Sequence, residues 1–96
     1  MYYEWDEEKN ILNKIVHNGV SFEEAQTVWG DPLTQEYNDP DHSNELETRY
    51  IAIGYSRKSR VLLVVFTERN ENLIRIISAR KATKKEEQKF LSSNGL

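Results

Sequence analysis

The densest apolar patterning of the chain lies in three consecutive segments, Arg49 to Ser56 (RYIAIGYS), Arg60 to Glu68 (RVLLVVFTE) and Leu73 to Arg80 (LIRIISAR), each about one strand long. The connections RKS and RNEN are short enough to require antiparallel hairpins. The middle segment is apolar at successive positions. Val61, Leu63 and Val65 on one face, and Leu62, Val64 and Phe66 on the other, are therefore both expected to be covered.

Helical spacing governs the remainder. Ile11, Leu12, Ile15 and Val16 recur as the buried stripe of a helix that Asp6 caps and that Asn18 and Gly19 end. Ser21 with Glu24 forms a capping box for a second, short helix whose apolar side carries Phe22, Ala25, Val28 and Trp29, with Val20 stapled to Ala25. Gly30, Asp31 and Pro32 close it. Thr83 with Glu86 opens a third helix running to about Leu91. Tyr2 to Trp5 reads as a short strand, Leu33 to Tyr37 as an edge strand, and NDPDHSNELE as a polar, turn-rich acidic loop. The expected architecture is α+β: an antiparallel sheet of about four strands in a meander, two N-terminal helices and one C-terminal helix. Residues 1–96 are expected to form one domain with a single modest core.

Composition narrows the chemistry. Without cysteine there is neither a disulfide framework nor a thiolate metal site, and two histidines make a poor metal site, so no metal or cofactor is expected. The start MYYEWDEEKN lacks a basic segment followed by an apolar run, and no window approaches the length of a membrane span. The chain is expected to be soluble and cytoplasmic. The net charge of −3 conceals a segregation: residues 1–48 carry 2 basic against 12 acidic side chains, residues 49–96 carry 11 against 4. Either a basic face meets nucleic acid or an acidic partner, or the two halves neutralise each other on folding.

Strand alternation in LIRIISAR puts Ile74, Ile76, Ser78 and Arg80 on one face and Leu73, Arg75, Ile77 and Ala79 on the other, so that each arginine interrupts an apolar row. An arginine in such surroundings needs a carboxylate, a ring or an anion. A phosphate site is one solution.

The opening EWDEEKN, the segment GVSFEEAQTVWGDPL, the loop DPDHS and above all VVFTERNENLIRIISARKATKKEE resemble the BrnT family of ribonuclease toxins from type II toxin-antitoxin modules, over nearly the whole chain. The resemblance implies a RelE-like fold, metal-independent RNA cleavage, and neutralisation by a cognate BrnA-like antitoxin with a ribbon-helix-helix DNA-binding domain. Operator DNA would then be met only through that antitoxin. The Lys-His-Gly common in the family at the end of the first helix stands here as His17-Asn18-Gly19.

Metal-independent cleavage needs a base for the 2′-hydroxyl, charge stabilisation at phosphorus, and an acid for the departing 5′-oxygen. Arg69, Arg75 and Arg80 are candidates for the second task and Arg49, also at a strand end, for phosphate binding; any one of them reads alternatively as a solvated strand end, and Arg75 and Arg80 as members of structural ion pairs. For proton transfer the candidates are His17 and Glu68, with His42 a weaker third that also reads as a loop cap. Glu68 reads equally well as an ion-pair partner that orients Arg75 or Arg80. Lys81, Lys84, Lys85 and Lys89 either track an RNA backbone or form a solvated face, and Tyr50, Tyr55 and Phe66 are candidates either for base stacking or for the core. A second functional reading keeps the same basic face but makes the protein a catalytically weak binding module, a co-repressor partner of a DNA-binding antitoxin.

Overall fold

The three apolar segments form the centre of a sheet in the computed structural model, which describes residues 1–96. Strands β3 (Tyr50–Tyr55), β4 (Val61–Asn70) and β5 (Leu73–Lys81) pair antiparallel in sequence, and β2 (Gln35–Asn38) adds antiparallel to β3. On the far edge β1 (Tyr2–Glu4) lies parallel to β5, giving five strands in the order β1-β5-β4-β3-β2. The expected four-stranded antiparallel meander is thus a five-stranded mixed sheet. The parallel addition is possible because α1 (Glu7–Val16) and the segment after it carry the chain back over the sheet before β2 begins. β2 starts two residues later than expected: Leu33 and Thr34 stay in the preceding turn, where the Thr34 hydroxyl donates to the Val28 carbonyl.

Both faces of β4 are covered. Leu62, Val64 and Phe66 are sealed beneath the helical layer with Val20, Phe22, Ala25 and Val28, while Val61 and Ile53 pack under Phe90 of α3 (Lys84–Ser93) on the opposite face. Leu63 and Val65 continue that second face, with Leu63 half-buried. The helix after Ser21 is briefer than its pattern suggests, four α-helical residues (α2, Phe22–Ala25) followed by a 3-10 turn, Gln26–Gly30. Its capping box is half made. Ser21 accepts from the Glu24 N–H, but the Glu24 carboxylate turns inward to a bidentate pair with Arg60 and a bond from Ser56. The Arg60 hydrogen bonds hold the Glu24 carboxyl below its ordinary range against the burial that would raise it.

Two departures from the sequence reading shape everything near β5. The alternation fails because Ser78 pairs with Val65 while Ile76 pairs with Phe66, leaving Ile77 without a partner. This bulge reverses the phase, so Ile74, Ile76 and Ala79 all enter the main core, and Arg75 and Arg80, expected on opposite faces, share one. The second departure is in α1. Ile11, Leu12, Ile15 and Val16, expected to be buried, lie on the exposed side of the helix, and Asn10 and Asn13 are buried instead.

The reason is hydrogen bonding at a sheet edge. β1 pairs with β5 only as far as Arg75, so the outer edge of the later part of β5, opposite β4, has no strand beside it. Asn13 takes that place: its Nδ2 donates to the Ala79 carbonyl at 2.8 Å and to the Val20 carbonyl at 2.8 Å, and its Oδ1 accepts from the Ala79 N–H at 3.2 Å. One turn earlier, Asn10 accepts from the Phe22 N–H at 2.8 Å, and its amide donates to Glu7 and Glu23. Backbone groups orphaned in this buried seam would be costly, and Asn10 and Asn13 meet them. Asn13→Ala leaves three such groups unmet and is expected to destabilise the fold by about 2–4 kcal/mol in urea denaturation. A loss below about 0.5 kcal/mol would show that the seam contributes nothing beyond an ordinary surface position.

Candidate functional site

Asn10, Asn13 and His17 lie on one side of α1 at i, i+3 and i+7. The anchoring of Asn13 on Ala79 therefore sets His17, at the C-cap, beside the end of β5. The chain leaves the helix sharply, with Asn18 and Gly19 both left-handed (φ 53° and 80°), a conformation that glycine adopts without strain.

On the face that carries Arg80 a cavity of about 260 Å³ opens over Leu63, Val65 and Ser78. His17 and Arg80 line it from the β5 side. Asp39 and His42 enter from the acidic loop, which is pinned to the sheet by Ser43: its hydroxyl accepts from the Arg49 N–H and donates to the Asp39 carbonyl. Asp39 is buried and its Oδ2 lies 2.7 Å from His42 Nδ1. A carboxylate in this position fixes the imidazole tautomer, with the proton on Nδ1 and Nε2 left free. His17, Asp39 and His42 are separated by 22 and 3 residues in sequence and meet only through the fold.

Arg80 is held from the other direction. Its Nη1 and Nη2 donate to the two oxygens of Glu86 at 2.7 and 3.0 Å, and Nη1 also reaches the Lys81 carbonyl. Glu86 at the same time accepts from the Thr83 N–H and so completes the capping box of α3, as expected from sequence. The Arg80 hydrogen bonds push the Glu86 carboxyl down to about 2, and the reciprocal bonds raise the Arg80 guanidinium. Both groups are therefore charged near neutral pH. Arg80 keeps its Nε–H for an incoming anion.

The other sequence candidates are more scattered. Lys81 joins His17 and Arg80 around a shallower depression of about 300 Å³. Arg75 shares the face of Arg80 but is paired with Glu4 at 2.6 Å, and Arg49 is paired with Glu47 at 2.8 Å. Glu68 and Arg69 are exposed at the far end of β4, and Glu68 makes no hydrogen bond or ion pair, so it does not orient Arg75 or Arg80. Lys84 and Lys85 are exposed in the first turn of α3. Phe66 is buried in the main core, which removes it as a base-stacking surface, while the half-buried Tyr50 stacks on Phe66 and the half-buried Tyr55 packs edge-on against Phe90. His42 stood in the sequence only as a weaker third candidate, and its i, i+3 spacing from Asp39 inside a turn-rich loop was the available signal for the pair.

Comparison with known proteins bears on the family and the fold. A family model described as "Ribonuclease toxin, BrnT, of type II toxin-antitoxin system" matches residues 5–86. In fold the chain is similar to the 1.1 Å crystal structure of the Brucella abortus ribonuclease toxin BrnT, with a TM-score of 0.64, 20% sequence identity, and coverage of 88% of this chain and 100% of that one. No curated protein sequence matches.

The Arg80–Glu86 pair makes a pH prediction. A carboxyl whose folded pKa is depressed, here from 4.5 to about 2, adds stability that is present above 4.5 and is lost as pH falls toward 2. Glu86→Gln is therefore expected to narrow its stability deficit relative to the parent as pH is lowered through that window. Parallel stability curves for the two proteins across it would remove the ion pair as a source of stability.

Proposed function

The chain belongs to the BrnT family, the ribonuclease toxins of type II toxin-antitoxin systems, and from this we propose that it cleaves RNA without a metal at the cavity that brings Arg80, His17 and the Asp39–His42 pair together. The observation that carries the proposal is the convergence itself: one guanidinium and two imidazoles, one of them backed by a buried carboxylate, over an open sheet face. These are the group types that transesterification at phosphorus requires.

In this reading Arg80 binds the scissile phosphate and stabilises the charge that develops on its oxygens. His42, with Nε2 free, takes the proton from the 2′-hydroxyl, and Asp39 stabilises the imidazolium that forms. His17 donates a proton to the departing 5′-oxygen. The 2′-oxygen forms a bond to phosphorus as the bond to the 5′-oxygen breaks, leaving a 2′,3′-cyclic phosphate. Arg49, Arg69, Arg75, Lys81, Lys84 and Lys85 attract the flanking backbone, and Glu68 takes no part in proton transfer.

A toxin of this type has an antitoxin partner, here proposed to be BrnA-like with a ribbon-helix-helix domain, acting with the toxin in the cytoplasm and alone in touching operator DNA. The exposed stripe of Ile11, Leu12, Ile15 and Val16 adjoins His17, so a partner seated on it would also cover the cavity. One observation favours the alternative of a weak enzyme acting mainly as co-repressor. Arg80 already has a carboxylate partner, and phosphate must compete with Glu86.

Incubation of the antitoxin-free protein with RNA in EDTA decides between the two. Cleavage is expected to persist, and Arg80→Ala, His17→Ala and His42→Ala are each expected to reduce it by about 10²-fold or more, with folding retained. Arg75→Ala, which removes a group already paired outside the cavity, is expected to cost about tenfold or less. Activity lost in EDTA and restored by a divalent cation would overturn the metal-independent mechanism. An intact His42→Ala enzyme would remove the assigned base.

A further inference from the structure

A second concavity adjoins the first and shares Ile51, Leu63 and Glu86 with it. It lies between the outer strands β2 and β3 and helix α3 and measures about 220 Å³. Its interior is made by Ile51, Ile53, Leu63 and the ring of Phe90, while Tyr37 stands at its outer edge, half exposed at 47%. Gln35 and Tyr37, two apart on β2, face the same side, and the Tyr37 hydroxyl donates to the Gln35 side-chain carbonyl. The bond sets the ring and the amide side by side at the mouth of the concavity. Nothing in the fold uses this ring.

The lining determines what can enter. A phosphate or a charged side chain would lose its hydration against aliphatic walls with no partner inside. A flat aromatic group loses little and gains stacking contact with Tyr37. The polar groups at the rim are donors: the Gln35 amide N–H₂, left outward because its carbonyl accepts from Tyr37, and the Lys89 ammonium, which has no ion-pair partner. The only carboxylate, Glu86, is committed to Arg80 and the Thr83 N–H.

We propose that this concavity is a nucleobase subsite contiguous with the Arg80 cavity, selective for a base that presents carbonyl acceptors, uracil or guanine, over one that presents an exocyclic amine at the same edge. The subsite rests on the reading of the neighbouring cavity as an RNA site. Its continuity with that cavity through Ile51 and Leu63 places the bound base next to the nucleotide whose phosphate meets Arg80. The protein would then choose where it cuts by seating one base, with the surface lysines adding attraction that does not depend on sequence.

The test uses fluorescently end-labelled 2′-O-methyl hexauridylate and hexaadenylate, which cannot be cleaved, in anisotropy titrations of the full chain. The parent protein is expected to bind the uridylate about tenfold more tightly than the adenylate, and Tyr37→Ala to weaken uridylate binding about tenfold while Tyr37→Trp restores it. Unchanged melting midpoints exclude loss of folding as the cause. Equal affinity for the two oligonucleotides, or a Tyr37→Ala protein that binds as the parent does, overturns the subsite. A Tyr37→Ala protein that loses antitoxin but keeps its oligonucleotide affinity likewise overturns it and assigns the concavity to a peptide. Cleavage of long RNA, measured in parallel, separates the two claims. Base-selective binding without cleavage retains the subsite and removes the enzyme, whereas cleavage with base-indifferent binding retains the enzyme and removes the subsite.

Discussion

The attachment of α1 to the unpaired edge of β5 by Asn13 is the constraint on which the arrangement of the site depends. A three-residue β1 leaves the outer edge of β5 at Ala79 without a strand beside it, and the side-chain amide of Asn13, with one donor and one acceptor group, supplies both bonds a strand on that edge would have made. The helix is thereby fixed in rotation as well as position. Its apolar stripe is turned to solvent, and His17, on the same side as Asn13 one turn on, is delivered to the cavity over Ser78 and Arg80. The same bonds thus explain an exposed apolar surface and a placed imidazole.

Charge is arranged by a similar logic. The acidic first half and basic second half do neutralise each other in part, through Glu4 with Arg75 and Glu24 with Arg60. Arg80 is treated differently, since its carboxylate comes from the nearby turn into α3, where Glu86 is also the helix cap. A cap that holds an arginine couples the start of α3 to the cavity, and α3 in turn carries Phe90 and Lys89 into the adjoining concavity. The guanidinium is oriented by packing that exists before any ligand arrives, which reduces the ordering cost of binding an anion.

Much of the fold was legible because its signals are local. The unbroken apolar run at 61–66, the short hairpin connections and the Thr83–Glu86 box each specify structure within a few residues, and each is realised. The failures lie in long-range pairing, of strand with strand and of backbone with distant side chains. Nothing near Ile77 announces a bulge, so alternation assigned Arg75 and Arg80 to opposite faces of the strand. Asn13 reads as a polar interruption of an apolar helix until the edge it completes is known. The family resemblance conveyed the class of protein from the same sequence, yet the meeting of His17 with Asp39 and His42 depends on long-range closure that no spacing encodes. The helical intervals of Asn10, Asn13 and His17, and the i, i+3 spacing of Asp39 and His42, hint only at each half of the site separately.

The central claim is that the Asn13 seam places His17 in the same anion-binding cavity as His42 and Arg80. Its most direct test is NMR of isotope-labelled imidazole and guanidinium groups during titration with an uncleavable 2′-O-methyl dinucleotide. In the parent protein the signals of His17, His42 and Arg80 are expected to shift together along one binding curve, whereas in Asn13→Ala, under conditions where it remains folded, those of His42 and Arg80 shift and His17 does not. A His17 signal that stays still in the parent, or that responds equally in both proteins, would contradict the account.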